Sequence, residues 1–216
     1  MKKIFLNSIS KTFDIEEIDV GNYKKIKAGG MTFDIAAYKA KGLGHVSVMS
    51  AKGFFGLMKM DTLIVNPCKI DLPLYSYDRI KVFGKDILIA EIYDTSVSPF
   101  DETELSKVIS EYHNIEERDP GVHWYDGIKL KSSISKKGKK KDSALMDELA
   151  LKHFNAYLST HASGEFDADR KKEKTLSYVD GLIDRGGPST DVFKKELGYN
   201  ATKELFYNVL FGIKTN

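Results

Sequence analysis

The stretch DLPLYSYDRIKVFGKDILIAEIYD, residues 71–94, decides the fold. It reads as two strands around a turn at Phe83-Gly84-Lys85-Asp86. Strand alternation places Leu74, Ser76, Asp78, Ile80 and Val82 on one face, and Tyr77, Arg79 and Lys81 on the other. Asp78 is the anomaly, because aspartate is depleted in strands. Two readings account for it. In the first it is a partly exposed strand residue balanced by a cation on a neighbouring strand. Arg79 cannot serve, since it points away. In the second the carboxyl faces a covered pocket, where burial raises its pKa and leaves a proton to donate at neutral pH. Its apolar neighbours on that face lean toward the second.

Upstream, three further segments read as strands: MTFDIAAYKA (31–40), HVSVMSAKG (45–53) and FFGLMKMDTLIVNP (54–67). Short Gly-containing links separate them, at Lys41-Gly42-Leu43-Gly44 and Lys52-Gly53. Links this short suit an antiparallel meander and leave no room for the crossover helices of a parallel sheet. Asp61, within LMKMDTLIV, is a second carboxylate on a strand.

Downstream the pattern turns helical. PFDETELSKVISEYHNIEE (99–117) has Asp101 as an N-cap and apolar residues at helical spacing. An irregular stretch, 118–130, carries the single tryptophan, Trp124. KSSISKKGKKKDS (131–143) reads as a mobile basic loop. Ser143 is placed to cap a long helix, SALMDELALKHFNAYLSTHA, followed by helices near 167–183 and 201–212. Strands first and helices after imply an α+β fold, an antiparallel sheet covered by helices. One domain over 1–216 is expected, with the sheet mainly in 31–94 and helices mainly in 100–116 and 143–212. Two independent domains are the alternative.

Composition removes several function classes. The net charge of +2 argues against a nucleic-acid binder, and one cysteine, Cys68, cannot build an internal disulfide, an iron–sulfur cluster or a Cys-rich zinc site. No Walker A or GxGxxG motif follows a strand, no HExxH occurs among the five histidines, and no nucleophile elbow is present. MKKIFLNSISKTF starts basic but lacks a signal-peptide apolar run, and no stretch approaches the roughly 20 apolar residues of a membrane span. The expectation is a cytoplasmic protein with neither membrane nor nucleic acid as partner.

Asp71-Leu72-Pro73-Leu74-Tyr75-Ser76-Tyr77-Asp78 resembles the segment D-(L/M)-P-(I/L)-(F/Y)-x-x-D of the ferredoxin-dependent bilin reductases, relatives of the red chlorophyll catabolite reductases. In that segment the last aspartate is the central proton donor, which maps onto Asp78. The family carries a polar residue on the preceding strand, roughly ten positions before the first aspartate, and here that position is Asp61. The C-terminal stretches Phe193–Gly198 and Glu204–Phe211 are similar to the family's ending. The likeness spans roughly 30–94 and 145–212. Two departures stand out. Many members have His-Val-Glu where this chain has His45-Val46-Ser47, and the usual acid before the C-terminal motif is replaced by Gly187, with Asp184 nearby.

The resemblance implies a three-layer α/β/α sandwich and reduction of a linear tetrapyrrole, biliverdin or a related bilin, acting on CH–CH groups. It implies no tightly bound cofactor, electrons arriving singly from reduced ferredoxin or flavodoxin, and proton transfer by Asp78 helped by Asp61 as a coupled pair. Ser47, Ser76, Asp184 and Phe206 are the expected substrate contacts. The alternative is a non-catalytic tetrapyrrole-binding protein on the same fold. The run Lys136–Lys141 has two readings, a solvated loop or a patch that steers an acidic electron donor. Trp124 and Tyr125 read as core or lid packing.

Overall fold

The computed structural model describes residues 2–187 and 189–213. Eight strands form one antiparallel sheet: β1 (Ile15–Ile18), β2 (Lys25–Ala28), β3 (Met31–Ala40), β4 (Gly44–Gly53), β5 (Met58–Asn66), β6 (Leu74–Val82), β7 (Lys85–Tyr93) and β8 (Ile134–Lys139). The spatial order is β1-β3-β4-β5-β6-β7-β8, with β2 also paired to β3. Strands β3 to β7 are the expected meander, each paired with its successor. The β6–β7 turn is two residues, Phe83 and Gly84, with φ of 47° and 78°. Positive φ at both positions matches the right-handed twist of the flanking strands.

Among the described residues six α-helices accompany the sheet: α1 (Lys2–Ser10), α2 (Thr103–Glu111), α3 (Ser143–Ser159), α4 (Ala168–Arg185), α5 (Thr190–Leu197) and α6 (Tyr199–Glu204), the last running into a π-helical segment, Leu205–Leu210. Helices α1, α2 and α3 cover one face of the sheet. Phe5, Ile9, Leu105, Met146, Leu149 and Phe154 pack there on Val48, Leu63, Tyr75, Tyr77 and Leu88. Helices α4 to α6 and the π segment cover the other. Tyr178, Leu182, Phe193, Phe206 and Leu210 pack there on Phe33, Ile35, Met49, Ile64 and Leu74. Each fully buried Leu, Ile or Phe contributes roughly 1.5–3 kcal/mol relative to exposure, so both helical layers are held chiefly by apolar burial. The architecture is the expected α+β sandwich with helices on both faces of a central antiparallel sheet.

Several local expectations need correction. The basic stretch 131–143 is not a mobile loop. Its centre is β8, on the edge of the sheet beside β7. Lys136 is buried and ion-paired to Glu117, and Lys137 reaches Glu116 at 3.0 Å. Period-2 burial, Ile134 and Lys136 inward with Ser135 and Lys137 outward, was masked by the lysine content. Ser143 does not cap α3; it is the helix's first residue, and its hydroxyl donates to Asp86. Asp101 accepts from the Thr103 amide at 2.9 Å at the start of α2, close to the predicted cap. The sheet also extends beyond 31–94, through β1, β2 and β8.

Two glycines are dictated by packing. A Cβ on Gly181, inside α4, would lie 2.2 Å from the Trp124 ring. One on Gly212, at φ +60°, would lie 2.3 Å from the His45 ring.

Candidate active site

Asp78 stands in the middle of β6, on the face covered by the C-terminal helices. Its cross-strand partners are Thr62 on β5 and Ile89 on β7. The Thr62 hydroxyl donates to Asp78 Oδ1 at 2.5 Å. Among the described residues no cation pairs with Asp78. The side chain lies deep beneath the helices yet keeps some accessible surface, because it fronts a cavity. Depth, more than accessible area, sets the cost of charging it. Burial pushes the carboxyl up, the Thr62 hydrogen bond partly offsets this, and the Glu91 carboxylate adds to the rise; the net value is about 6.

The first aspartate of the same segment behaves in the opposite way. Asp71 accepts from the backbone amides of Val97 and Ser98 at 2.7 and 2.8 Å, and Lys171 lies 3.7 Å away. Burial works against its charge, but these donors outweigh burial and hold its pKa below the usual value. Asp71 is therefore an ionised structural tie between the start of β6, the loop after β7, and α4. Two carboxyls seven residues apart are thus pushed in opposite directions, the pattern that separates an acid from a permanent anion.

The cavity in front of Asp78 measures about 80 Å³. Thr62, Ser76, Asp78 and Glu91 form its sheet side; Tyr125, Tyr178, Thr190, Phe206 and Phe211 are among the residues closing it from above. Glu91 is opposite Ser76 on β7 and diagonal to Asp78. Tyr93 donates its hydroxyl to Glu91 Oε2 at 2.5 Å, and Lys129 Nζ lies 3.6 Å from Oε1. Tyr93 packs on Tyr178 with ring centroids 4.2 Å apart. The site is thus two carboxyls of different character, one without a cation and one held by a lysine and a phenol, beneath an aromatic lining.

The expected residues divide sharply. Ser76 and Phe206 line the cavity with Asp78. Asp61 does not. It is opposite Arg79 on the neighbouring strand, and alternation turns it to the α1–α3 face, where it accepts from the Ser50 hydroxyl at 2.7 Å. The carboxylate accompanying Asp78 is Glu91, so the expected Asp78–Asp61 pair is replaced by Asp78–Glu91. Asp184 is exposed and accepts from the Tyr199 hydroxyl at 3.0 Å, away from the cavity lining. Arg79 points away from Asp78, as alternation predicted, and is buried against Asp86 with Nε 2.7 Å from Oδ1.

Ser47 has a different task from the one expected. It belongs to a clamp on three consecutive carbonyls where the C-terminal helix ends. His45 donates from Nε2 to Val209 O at 2.7 Å, Ser47 to Leu210 O at 2.8 Å, and Asn66 from Nδ2 to Phe211 O at 2.7 Å. Burial lowers the His45 pKa and keeps the ring neutral. The last carbonyls of a helix lack intrahelical partners; β4 and β5 supply them, fixing Leu210 and Phe211 over the cavity.

Thr62, Glu91, Tyr93 and Tyr178 were not legible as site residues. Glu91 carried a usable signal: it is a charged residue on the same strand pattern, two places from Tyr93 in ILIAEIY. Tyr125, read as packing, does line the cavity. Trp124 packs against α4 and donates from its indole N–H to Gly186 O at 2.9 Å.

No protein-family model matches the chain, and no curated protein matches it in sequence. A solved structure is similar in fold: selenomethionine-labelled phytochromobilin synthase from tomato, in complex with biliverdin. The superposition has a TM-score of 0.78 at 13 % sequence identity, over 100 % of this chain and 84 % of the tomato chain. At that identity the likeness is one of fold, and it reaches the fold that the Asp71–Asp78 segment implied.

Proposed function

We propose that this chain is an oxidoreductase that reduces a linear tetrapyrrole, biliverdin or a related bilin, by alternating electron and proton transfers, with Asp78 as the proton donor. The observation that carries the reading is Asp78 itself. It is a deep carboxyl with no cation paired to it among the described residues, its pKa raised to about 6 by burial, facing a cavity between the sheet and the C-terminal helices. A solved structure of the same fold holds biliverdin. Electrons would come one at a time from an external donor of the ferredoxin or flavodoxin type.

The chain's own residues then have distinct roles. Protonated Asp78 gives a proton to the pigment, which makes the pigment easier to reduce. Thr62 orients the carboxyl and stabilises its anion after transfer. The Glu91 carboxylate, held in place by Lys129 and Tyr93, discourages ionisation of Asp78 before the pigment is in place. Small-molecule sites commonly occupy about 300–1,000 Å³, so the cavity must enlarge as the pigment enters. The wall most able to move is the helical one at Tyr178, Leu182 and Phe206, because the sheet side is fixed by its ladder hydrogen bonds and Leu210 and Phe211 by the carbonyl clamp.

A second reading, tetrapyrrole binding without reduction, is favoured by one observation. Where the resembling family carries an acid this chain has Ser47, whose hydroxyl is engaged by the Leu210 carbonyl. One experiment separates the two. Anaerobic protein is mixed with biliverdin, its visible spectrum is recorded, and reduced ferredoxin is added. Reduction predicts a shifted band that then bleaches or moves to shorter wavelength. A shifted band that persists identifies a binding protein. An unshifted spectrum removes the tetrapyrrole altogether.

A further inference from the structure

Four of the large apolar side chains left in solvent lie together at one end of the sheet. Phe54, Phe55 and Leu57, in the β4–β5 connection, are 53 %, 108 % and 58 % exposed, and Phe83, in the β6–β7 turn, is 69 % exposed. The two tips touch, with the Phe83 amide donating to Leu57 O at 3.4 Å. Phe54, Phe55 and Phe83 are also the non-glycine residues with positive φ among those described. A bulky residue in that region is strained and needs a reason. The core offers none, because Phe55 has its whole surface in water.

Most of the charges around the tips are equally unexplained by folding; Lys81, whose Nζ lies 3.5 Å from Asp86, is the exception. Lys52 is directly opposite Lys59, and Lys59 directly opposite Lys81. Like charges at cross-strand positions are destabilising. Lys52, Lys59, Lys85, Lys139, Lys140 and Lys141 are exposed, and none has an ion-pair partner among the described residues. A groove of about 680 Å³, lined by Lys59, Lys81, Lys85 and Lys140, lies beside the tips.

We infer that the β4–β5 and β6–β7 tips dock the protein peripherally on an anionic lipid bilayer, the phenylalanines entering the interface while the lysines hold phosphate-bearing headgroups. Protruding aromatic points suit a bilayer, which admits a side chain without a matching pocket; a protein partner would need a cavity shaped for each ring. Aromatic side chains favour the headgroup level, and clustered lysines concentrate at anionic surfaces. This differs from spanning: among the described residues no helix is long and apolar enough to cross a membrane. It also stands independently of the reading of Asp78.

The test is sedimentation of the intact chain with phosphatidylcholine vesicles, with and without phosphatidylserine, at low and high salt. Binding is expected with phosphatidylserine alone and should weaken with salt. Phe55→Asn should weaken it roughly tenfold, the loss of one buried phenylalanine. Asparagine accepts positive φ, and an unchanged melting temperature would show that this variant folds. Lys59→Glu should weaken it in the same direction. Failure to bind phosphatidylserine vesicles, or binding indifferent to Phe55→Asn, overturns the inference. So does Phe55-dependent capture of an acidic soluble protein by a chain that ignores vesicles.

Discussion

Thr62 donates its hydroxyl to Asp78 Oδ1 across 2.5 Å, from directly opposite on the neighbouring strand. This hydrogen bond is the one contact drawing the Asp78 pKa down against burial. Thr62→Val keeps the shape and removes the donor. A hydrogen bond to a charged group is worth about 1.5–3 kcal/mol, or roughly one to two pKa units. The Asp78 pKa should therefore rise from about 6 by about that much, and the alkaline limb of the pH–rate profile for bilin reduction should move with it. A profile that stays in place would separate Thr62 from the titrating group.

Glu91→Gln should move the same limb the other way. Glutamine still accepts from Tyr93 but carries no charge, so the like-charge contribution that raises Asp78 disappears. The acid-ward shift should be smaller than the alkaline shift of Thr62→Val, because Glu91 ranks behind Thr62 among the influences on Asp78. Asp61→Asn should leave the limb unmoved, since Asp61 faces the other helical layer. Carboxyl infrared bands followed against pH would report both variants.

The same raised pKa makes a stability prediction. The folded value is about 6 against an ordinary 3.8, so the folded state binds more protons between those pH values. Stability then falls as pH rises from about 4 to about 6, by about 3 kcal/mol for a shift of about two units. Asp78→Asn removes that penalty. At pH 7 the variant should be the more stable by up to about 3 kcal/mol, and near pH 3 the gain should vanish. Urea melts at the two pH values decide; equal effects at both would mean that Asp78 is not titrating within the fold.

The carbonyl clamp gives a fourth prediction. Ser47→Ala and Asn66→Ala each leave a buried carbonyl unpaired, at a cost of about 1–3 kcal/mol. Both loosen the segment that carries Leu210 and Phe211 over the cavity. Amide exchange at 205–213 should quicken, while Asp71 and its ties to Val97 and Ser98 stay protected. Exchange that quickens across the whole sheet would mean general unfolding and no local clamp.

The sequence was most informative where physics is local. Period-2 alternation in LYSYDRIKV correctly put Asp78 and Arg79 on opposite faces, and the short Gly links required the antiparallel meander. It was least informative where partners come from distant strands. Applying the same alternation to LMKMDTLIV could not place Asp61 on a face, because the register between β5 and β6 was unknown. That register pairs Thr62, not Asp61, with Asp78. Ser47 illustrates the same limit: its partner, the Leu210 carbonyl, is 163 residues away. The lysines of 136–141 misled in another manner, since composition suggested a loop while two of them were balanced by Glu116 and Glu117. Asp71 and Asp78 share one short segment, yet partners distant in sequence, the Val97 and Ser98 amides and Lys171, distinguish the ionised tie from the raised acid.

In the proposed reaction Asp78 delivers the proton. The most direct measurement is anaerobic single-turnover reduction of bound biliverdin by reduced ferredoxin, wild type against Asp78→Asn, followed by the visible spectrum. Asp78→Asn should bind the pigment with the same initial band shift but reduce it at least about a hundredfold more slowly, the range typical of a lost general acid. Equal rates in the two proteins would contradict it and return Asp78 to the role of a buried strand residue.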